Sequence, residues 1–456
     1  MKLKVLNILA SLFITACAIT SCLDEGNMDY VLSSNAAIKK FGIKDSIITN
    51  YKTVLNGVDT TLSTVVVGKN YPFTIDQVEG RIYNADSLPK GTDISKVVID
   101  MTIEAYNVMI QAEKDSVWQP EDSLNFEKPI VFKLYSQTGL HGKTYTAQIN
   151  VHQQDPEEMT WTQMAGNFPR LQAQKAIYLN GNVYVFTEQE NQVAMTMTAS
   201  NNGKEWTALQ NLDIPTKADY ASVLAWNNYL YIMAEDGLYT SANGLNWEKV
   251  NTSQNLARLL AAIDGKKLIA ADTEGHYMES TDGMEWKVYE SLPEGFPKAH
   301  TAFESYALDT NEDINRVVLL ECNEEKTDSV TTAWMQLDTD NDWSEIRSEK
   351  AIYACPRLEN AAMIRYNGKL YTFGGPGRRS SALAAFDKLF CSEDNGITWK
   401  IVNESILFPE DFESKYEAAH GNYSYTVDDN HFIWIMWGET GEVWKGRLNK
   451  LGFVRK

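Results

Sequence analysis

The chain has 456 residues, 44% hydrophobic and 22% charged, with 61 acidic against 41 basic side chains and a net charge of −20. That length suits two or three domains, and the composition is that of a folded chain rather than a disordered one. No apolar run reaches the roughly 18–20 residues of a membrane-spanning helix, and the acidic balance speaks against a general nucleic-acid binder, which needs a basic footprint. Twelve Trp and 22 Tyr against 12 Pro point to an all-β protein.

The chain opens with Lys2 and Lys4, a short apolar stretch over residues 5–18, and then Ile19-Thr20-Ser21-Cys22. Positive charge, apolar core and small residues in that order predict a secretory signal peptide over residues 1–21. The last four residues resemble the bacterial lipobox. That resemblance implies that Cys22 is acylated, becomes the mature N-terminus and anchors the protein in the outer membrane, each buried CH₂ contributing about 0.8 kcal/mol. Asp24 and Glu25 resemble the surface-export signal of Bacteroidota lipoproteins, although an ordinary solvated linker has the same composition. Residues 22–34 are expected to form the lipidated tether. Loss of residues 1–21, which hold Lys2, Lys4 and no acid, leaves 39 basic and 61 acidic residues, or −22. Cys322, Cys355 and Cys391 remain as thiols. Their odd number gives no full disulfide framework, and they are expected to be buried and free.

Residues 35–155 have the pattern of an all-β module. Val97, Ile99, Met101, Ile103 and Ala105 alternate with Val98, Asp100, Thr102 and Glu104, the period of a half-buried strand. A second run over residues 129–135 turns through residues 138–143 into a third over residues 144–151, which predicts a hairpin. Six or seven such runs in about 120 residues fit an immunoglobulin-like β-sandwich. Pro156, beside Asp155, Glu157 and Glu158, blocks continuation of the last strand and marks a linker.

From residue 159 onward the sequence repeats. Trp161, Trp206, Trp247, Trp286, Trp343, Trp399 and Trp444 recur at roughly 40–57 residues, the period of propeller blades. Several of these Trp close a turn motif. Ser200, Asn202, Gly203 and Trp206 form one copy. Ser241, Asn243, Gly244 and Trp247 form the next, and Ser280, Asp282, Gly283 and Trp286 the third. Ser392, Asp394, Gly396 and Trp399 form the fullest, whereas the stretch from Asp338 to Trp343 lacks both Ser and Gly. In each, the Asp or Asn side chain can bind nearby backbone N–H groups, Gly can take φ > 0, and Trp can pack between sheets. The copies resemble the Asp-box of sialidase-type propellers, and the Asn367-Gly368 turn followed by Tyr371 and Gly374-Gly375 resembles a kelch blade. Six blades are expected, at 166–210, 215–251, 256–290, 298–347, 356–403 and 418–449. The last has three strands of its own, and the segment from Trp161 to Met164 is expected to complete it, closing the ring and hiding its edges. The fold class is thus all-β, an immunoglobulin-like sandwich (35–155) followed by a six-bladed kelch/Asp-box (BNR-like) propeller (159–456). The whole chain resembles Bacteroidota outer-membrane lipoproteins of that organisation whose activity is unassigned.

Propeller ligands usually sit at the mouth of the ring. Arg170, Lys217, Arg258, Lys298, Arg357 and Lys415 each fall just before a predicted inner strand, which would set one base per blade around that mouth. Nearby carboxylates such as Glu188, Glu190, Glu235, Asp236, Asp272, Glu274 and Glu439 could pair with them, and both readings stay open. The glycine-rich residues 374–381 add Arg378 and Arg379, either in a loop over the mouth or in plain solvent. This stretch lacks the lysine and hydroxyl residue of a nucleotide phosphate loop. A sialidase would need an Arg triad, a Tyr/Glu pair and an Asp acid, and the Phe-Arg-Ile-Pro hallmark is absent. A copper oxidase of kelch type would need paired His and Tyr ligands, but the six His residues show no such spacing. No cofactor or metal is expected. Three functions follow, and fold alone does not choose among them. The leading one is a lipid-anchored binding protein whose mouth takes a glycan or other anionic ligand. The second is a carbohydrate-active enzyme using the same mouth, and the third a scaffold or adhesin for a protein partner. Nucleic acid is not expected as a partner.

Overall fold

The computed structural model describes residues 32–55, 58–139, 141–298, 301–321, 331–348, 350–402 and 408–452. The predicted signal, Cys22 and most of the tether lie outside these residues, as does Cys322. The chain divides into two compact units, the second beginning at Gln154. Among the described residues the one α-helix is Phe412–Ala418, and strands form the rest of the framework.

In the first unit, Ala37–Ile43, Val97–Glu104 and Ser123–Leu124 form a three-stranded sheet. A six-stranded sheet runs in the order Phe73–Asp76, Arg81–Asn84, His141–Gln148, Ile130–Tyr135, Asn107–Ile110 and Ser116–Val117. The expected hairpin is its centre, with Ile130 opposite Ala147 and Phe132 opposite Tyr145. Arg81–Asn84 joins this sheet parallel to His141–Gln148. Alternation does the packing: Ile38, Phe41, Val97 and Ile99 of one sheet share a core with Ile82, Phe132, Leu134 and Tyr145 of the other. Ser46–Leu55 and Val58–Val67 form a separate two-stranded ribbon.

The second unit contains six four-stranded antiparallel sheets among the described residues. Their first strands are Lys175–Leu179, Ala218–Trp226, Arg258–Ile263, Thr301–Leu308, Ala362–Tyr366 and Tyr423–Val427. Each first strand touches the first strand of the next sheet, and the sixth touches the first, so they form a closed circuit. Side chains tie neighbouring first strands together by satisfying their free backbone groups. Lys175 Nζ donates to Ala221 O at 2.6 Å, Trp226 Nε1 to Ile263 O at 3.0 Å, and Tyr425 Oη accepts from Met363 N at 3.1 Å. The fourth strand of the sixth sheet is Met159–Met164, which pairs antiparallel with Glu442–Leu448 from Met159 opposite Leu448 to Met164 opposite Val443. The beginning and end of the unit therefore share one ladder, and Glu442–Leu448 is paired on both sides rather than left as an edge.

The turn motifs join the third and fourth strands of the first, second, third and fifth sheets. In the second sheet Ser241 Oγ accepts from Gly244 N at 2.9 Å, Asn243 Oδ1 accepts from Leu245 N and Asn246 N at 2.9 and 3.0 Å, and Trp247 Nε1 donates to Gly244 O at 2.9 Å. Ser280, Asp282, Gly283 and Trp286 repeat this pattern in the third sheet. In the fifth, Asp394 also accepts from Thr398 Oγ1 at 2.6 Å, and Trp399 is fully buried. The first copy differs in that Trp206 Nε1 has no partner among the described residues, although its main-chain N–H is met by Asn167 Oδ1 at 2.7 Å, as that of Trp247 is by Asp213 Oδ1 at 2.9 Å. Cys355 is buried as expected, while Cys391 is only half-buried.

Candidate functional site on the strand-entry face

Register sets which loops share a face. Lys175 lies opposite Phe186, Arg258 opposite Ala271, Ala362 opposite Phe373 and Tyr423 opposite Trp437. The segments entering the first strands therefore stand at the same end as the turns between second and third strands. The Trp-closed turns stand at the other end.

All six entry bases belong to this face, but their surroundings differ. Arg170 is exposed beside Gly441 and forms no ion pair among the described residues. Lys217 pairs with Glu188 at 3.6 Å, near the end of the second strand of the preceding sheet. Arg258 is half-buried with its guanidinium 5.9 Å from the Phe296 ring, and burial lowers its pKa from the ordinary value. Lys298 is exposed. Arg357 is half-buried and engaged by neighbouring groups rather than free. Lys415 departs furthest from the expectation. It sits inside the helix Phe412–Ala418, its Nζ 2.7 Å from Glu442 and 3.2 Å from Asp411 and 5.3 Å from the Trp444 ring centre. Burial works to lower its pKa, but the two carboxylates hold it above the ordinary value. A free cation ring is therefore not assembled on all six positions.

The glycine-rich stretch is likewise part of the framework. Gly377–Arg378 pairs with Arg357–Leu358 on one side and Ala382–Leu383 on the other, so Arg378 is the cross-strand partner of Arg357. The glycines are needed for close approach. A Cβ on Gly375 would lie 2.1 Å from the Tyr416 hydroxyl, and one on Gly377 would lie 1.9 Å from Arg357 O. Arg379 turns to the outer strands of the fifth sheet, donating to Trp399 O at 2.8 Å with its guanidinium 4.8 Å from the Phe390 ring. Arg378 remains exposed.

What this face does contain is a cleft of about 530 Å³ between the entry segments of the fifth and sixth sheets, within the range of small-ligand sites. Glu359 and Asn360 line one side, Pro376, Ala384 and Ala385 another, and Glu413, Tyr416, Glu417, His420 and Gly421 the third. The helix supplies its floor. Phe412, Tyr416 and Ala419, spaced by four and three residues, are buried against Phe386 and Trp437, which turns Glu413 and Glu417 outward. Asn360 Nδ2 donates to Gly421 O at 3.1 Å and reaches the Tyr416 hydroxyl at 3.4 Å. His420 Nδ1 lies 2.7 Å from Glu439 Oε2. Asn360, Phe386 and His420 hold positive φ of 47°, 53° and 50°, a conformation costly for the two ring-bearing residues.

In the sequence His420 stands only three residues before the strand Tyr423–Val427, and nothing local marks Glu359, Glu413, Tyr416 or Glu417. The available signal was the i, i+4, i+7 spacing of Phe412, Tyr416 and Ala419, a helical period inside an otherwise β repeat.

A second charged cluster lies on the inner strands. Glu304, on Thr301–Leu308, is only partly exposed and accepts the backbone N–H of Arg365 on the next sheet. Burial raises its pKa to about 7 in spite of that bond and the Arg365 charge. Arg365 stacks 4.3 Å over the Tyr306 ring. Among the described residues no three His, Cys, Asp or Glu side chains converge as a metal site.

A family model described as the DUF6242 beta propeller domain matches residues 155–456, and one for the DUF6242 N-terminal domain, a domain of unknown function, matches residues 42–149. No curated protein matches the sequence. Among solved structures, an auxiliary nutrient binding protein from Bacteroides ovatus aligns with 10% identity and a TM-score of 0.39, over 78% of this chain and 94% of that one. An alpha-L-arabinanase from Penicillium chrysogenum, complexed with arabinobiose, aligns with 12% identity and a TM-score of 0.36, over 63% and 99%. A Trichoderma reesei protein of carbohydrate-active enzyme family AA12 aligns with 10% identity and a TM-score of 0.38, over 64% and 96%.

Proposed function

Since the chain belongs to the DUF6242 family and carries its β-propeller as C-terminal domain, we propose that it is a lipid-anchored extracytoplasmic binding protein whose propeller holds a glycan in the cleft between the fifth and sixth sheets. On this reading the six sheets are six blades, the turn motifs are Asp-boxes that tighten the far face, and the first unit is an immunoglobulin-like sandwich spacing the propeller from a Cys22 anchor. The observation that carries the proposal is the cleft itself. Its volume of about 530 Å³ is lined by carboxylate, amide, phenol and imidazole groups around a small apolar patch, on a floor of packed aromatic side chains. A sugar presents many hydroxyls, and a site built to hydrogen-bond them gains selectivity because unmet buried polar groups are costly.

The entry bases support an anionic ligand less well. Lys415 is already paired twice and Lys217 once, so a ligand there would displace carboxylates rather than fill a positive well. The test is a glycan array on soluble residues 35–456, repeated with Ala384→Trp. Ala384 is exposed and lines the cleft, so an indole there fills the space without disturbing the core. Hits that vanish in the variant support the seat. Hits that survive unchanged, or an array with no hits, refute it.

A further inference from the structure

The cleft also carries a charge pattern that narrows its ligand. Glu359, Glu413 and Glu417 all line it, all are exposed, and none has an ion pair among the described residues. Lysine and arginine side chains lie on adjoining elements, yet none of them lines the cavity. Lys415 is in the same helix but faces Glu442, Asp411 and Trp444. Arg357 and Arg378 sit on the paired strands beside Pro376, and Arg379 is drawn off to Trp399. The imidazole of His420 is held by Glu439.

Three uncompensated carboxylates around one concavity focus a negative potential there, stronger than the same charges on a convex surface. They do not converge as a metal site. A metal ion needs its oxygen donors within about 2–2.6 Å of one point, so this charge is spread over a ligand-sized volume. The occupant it matches is an organic cation with hydroxyl groups distributed around it. The hydroxyls meet Asn360, Tyr416 and the carboxylate oxygens, and an ammonium meets the carboxylates by charge-assisted hydrogen bonds, which are roughly twice as strong as neutral ones. The apolar patch of Pro376 and Ala384 suits the C–H face of a pyranose ring.

We infer that the cleft selects a saccharide bearing a free amine, a hexosamine unit, over neutral and acidic sugars of the same size. This rests on the cleft being the ligand seat. The experiment is titration calorimetry of the soluble chain with glucosamine, glucose and glucuronic acid at low and high salt, on wild type, Glu413→Gln/Glu417→Gln and Ala384→Trp. Both glutamates are exposed, so the double variant should fold. Expected is binding of glucosamine at least tenfold tighter than glucose, no binding of glucuronic acid, and at least a tenfold loss with the double variant or on raising salt. Glucose binding as tightly as glucosamine, with both lost in Ala384→Trp, overturns the amine preference and leaves the seat standing. Glucosamine binding that Ala384→Trp leaves intact, or binding of no sugar, overturns both.

Discussion

Gly446 offers a test of how the second unit closes. It lies directly opposite Trp161 in the ladder between Met159–Met164 and Glu442–Leu448. A Cβ there would stand 2.4 Å from Trp161 Cδ2 and 2.5 Å from Cε2 and Cε3, well inside van der Waals contact. The indole cannot simply give way, since it packs between Phe408 and Phe412 at centroid distances of 5.7 and 5.2 Å. Gly446→Ala should therefore push Trp161 out of its seat and loosen the strand that joins the two ends of the unit. Overpacking of this kind costs about 1–3 kcal/mol. At roughly 2–4 °C per kcal/mol for a unit of this size, melting should fall by about 2–12 °C. Trp161→Ala alone should cost about 2 kcal/mol, because the side chain is only half-buried. In that background Gly446→Ala should cost nothing, or stabilise slightly, since alanine loses less backbone entropy than glycine. Urea unfolding of wild type, both single variants and the double variant measures the coupling, expected at about 1–3 kcal/mol. Additive effects, or a neutral Gly446→Ala in the wild-type background, would refute the closure described above.

Three other expectations concern two buried ionisable groups and the proposed lipid anchor. Lys445 is buried, donates to Ser200 O at 2.7 Å across the seam between the sixth and first sheets, and lies 4.1 Å from the Trp434 ring centre and 3.8 Å from buried Asp428. Lys445→Ala leaves that carboxylate without its cation and should cost about 3–5 kcal/mol; a loss below about 1 kcal/mol in urea unfolding would show the pair to be dispensable. Glu304, with its pKa raised to about 7 by burial, holds a proton in the folded state at pH values where the unfolded chain has released it. Stability should therefore fall as pH rises from about 4.5 to 7, by at most about 3 kcal/mol, and Glu304→Gln should remove that slope. Parallel melting curves of wild type and variant against pH would contradict this. Cys22→Ser should release the protein from membranes on fractionation, because acylation is the strong attachment that the lipobox resemblance implies, and retention would remove the lipoprotein proposal.

Sequence carried what is local and repeated. The turns at Ser241, Ser280 and Ser392 are built from hydrogen bonds within a few residues, so their geometry follows from residue order. The recurring Trp marks the strand that follows each turn for the same reason. Trp161 was legible as a strand without a partner because edges cost free energy wherever they occur. The entry bases could be counted but not judged. One base before each first strand is a statement about distance along the chain, whereas charge pairing depends on what lies across a gap. Lys415 meets Glu442, 27 residues away, because the helix Phe412–Ala418 turns it there. Arg379 meets Trp399 O, 20 residues away, because the glycine-rich stretch is drawn into a strand beside Arg357. The cleft is the extreme case. Glu359 and Asn360 come from one entry segment, Ala384 from a turn, and Glu413, Tyr416 and Glu417 from a helix more than 50 residues on. Its walls exist only once the first strands of the fifth and sixth sheets stand side by side, so no motif in the chain could announce it.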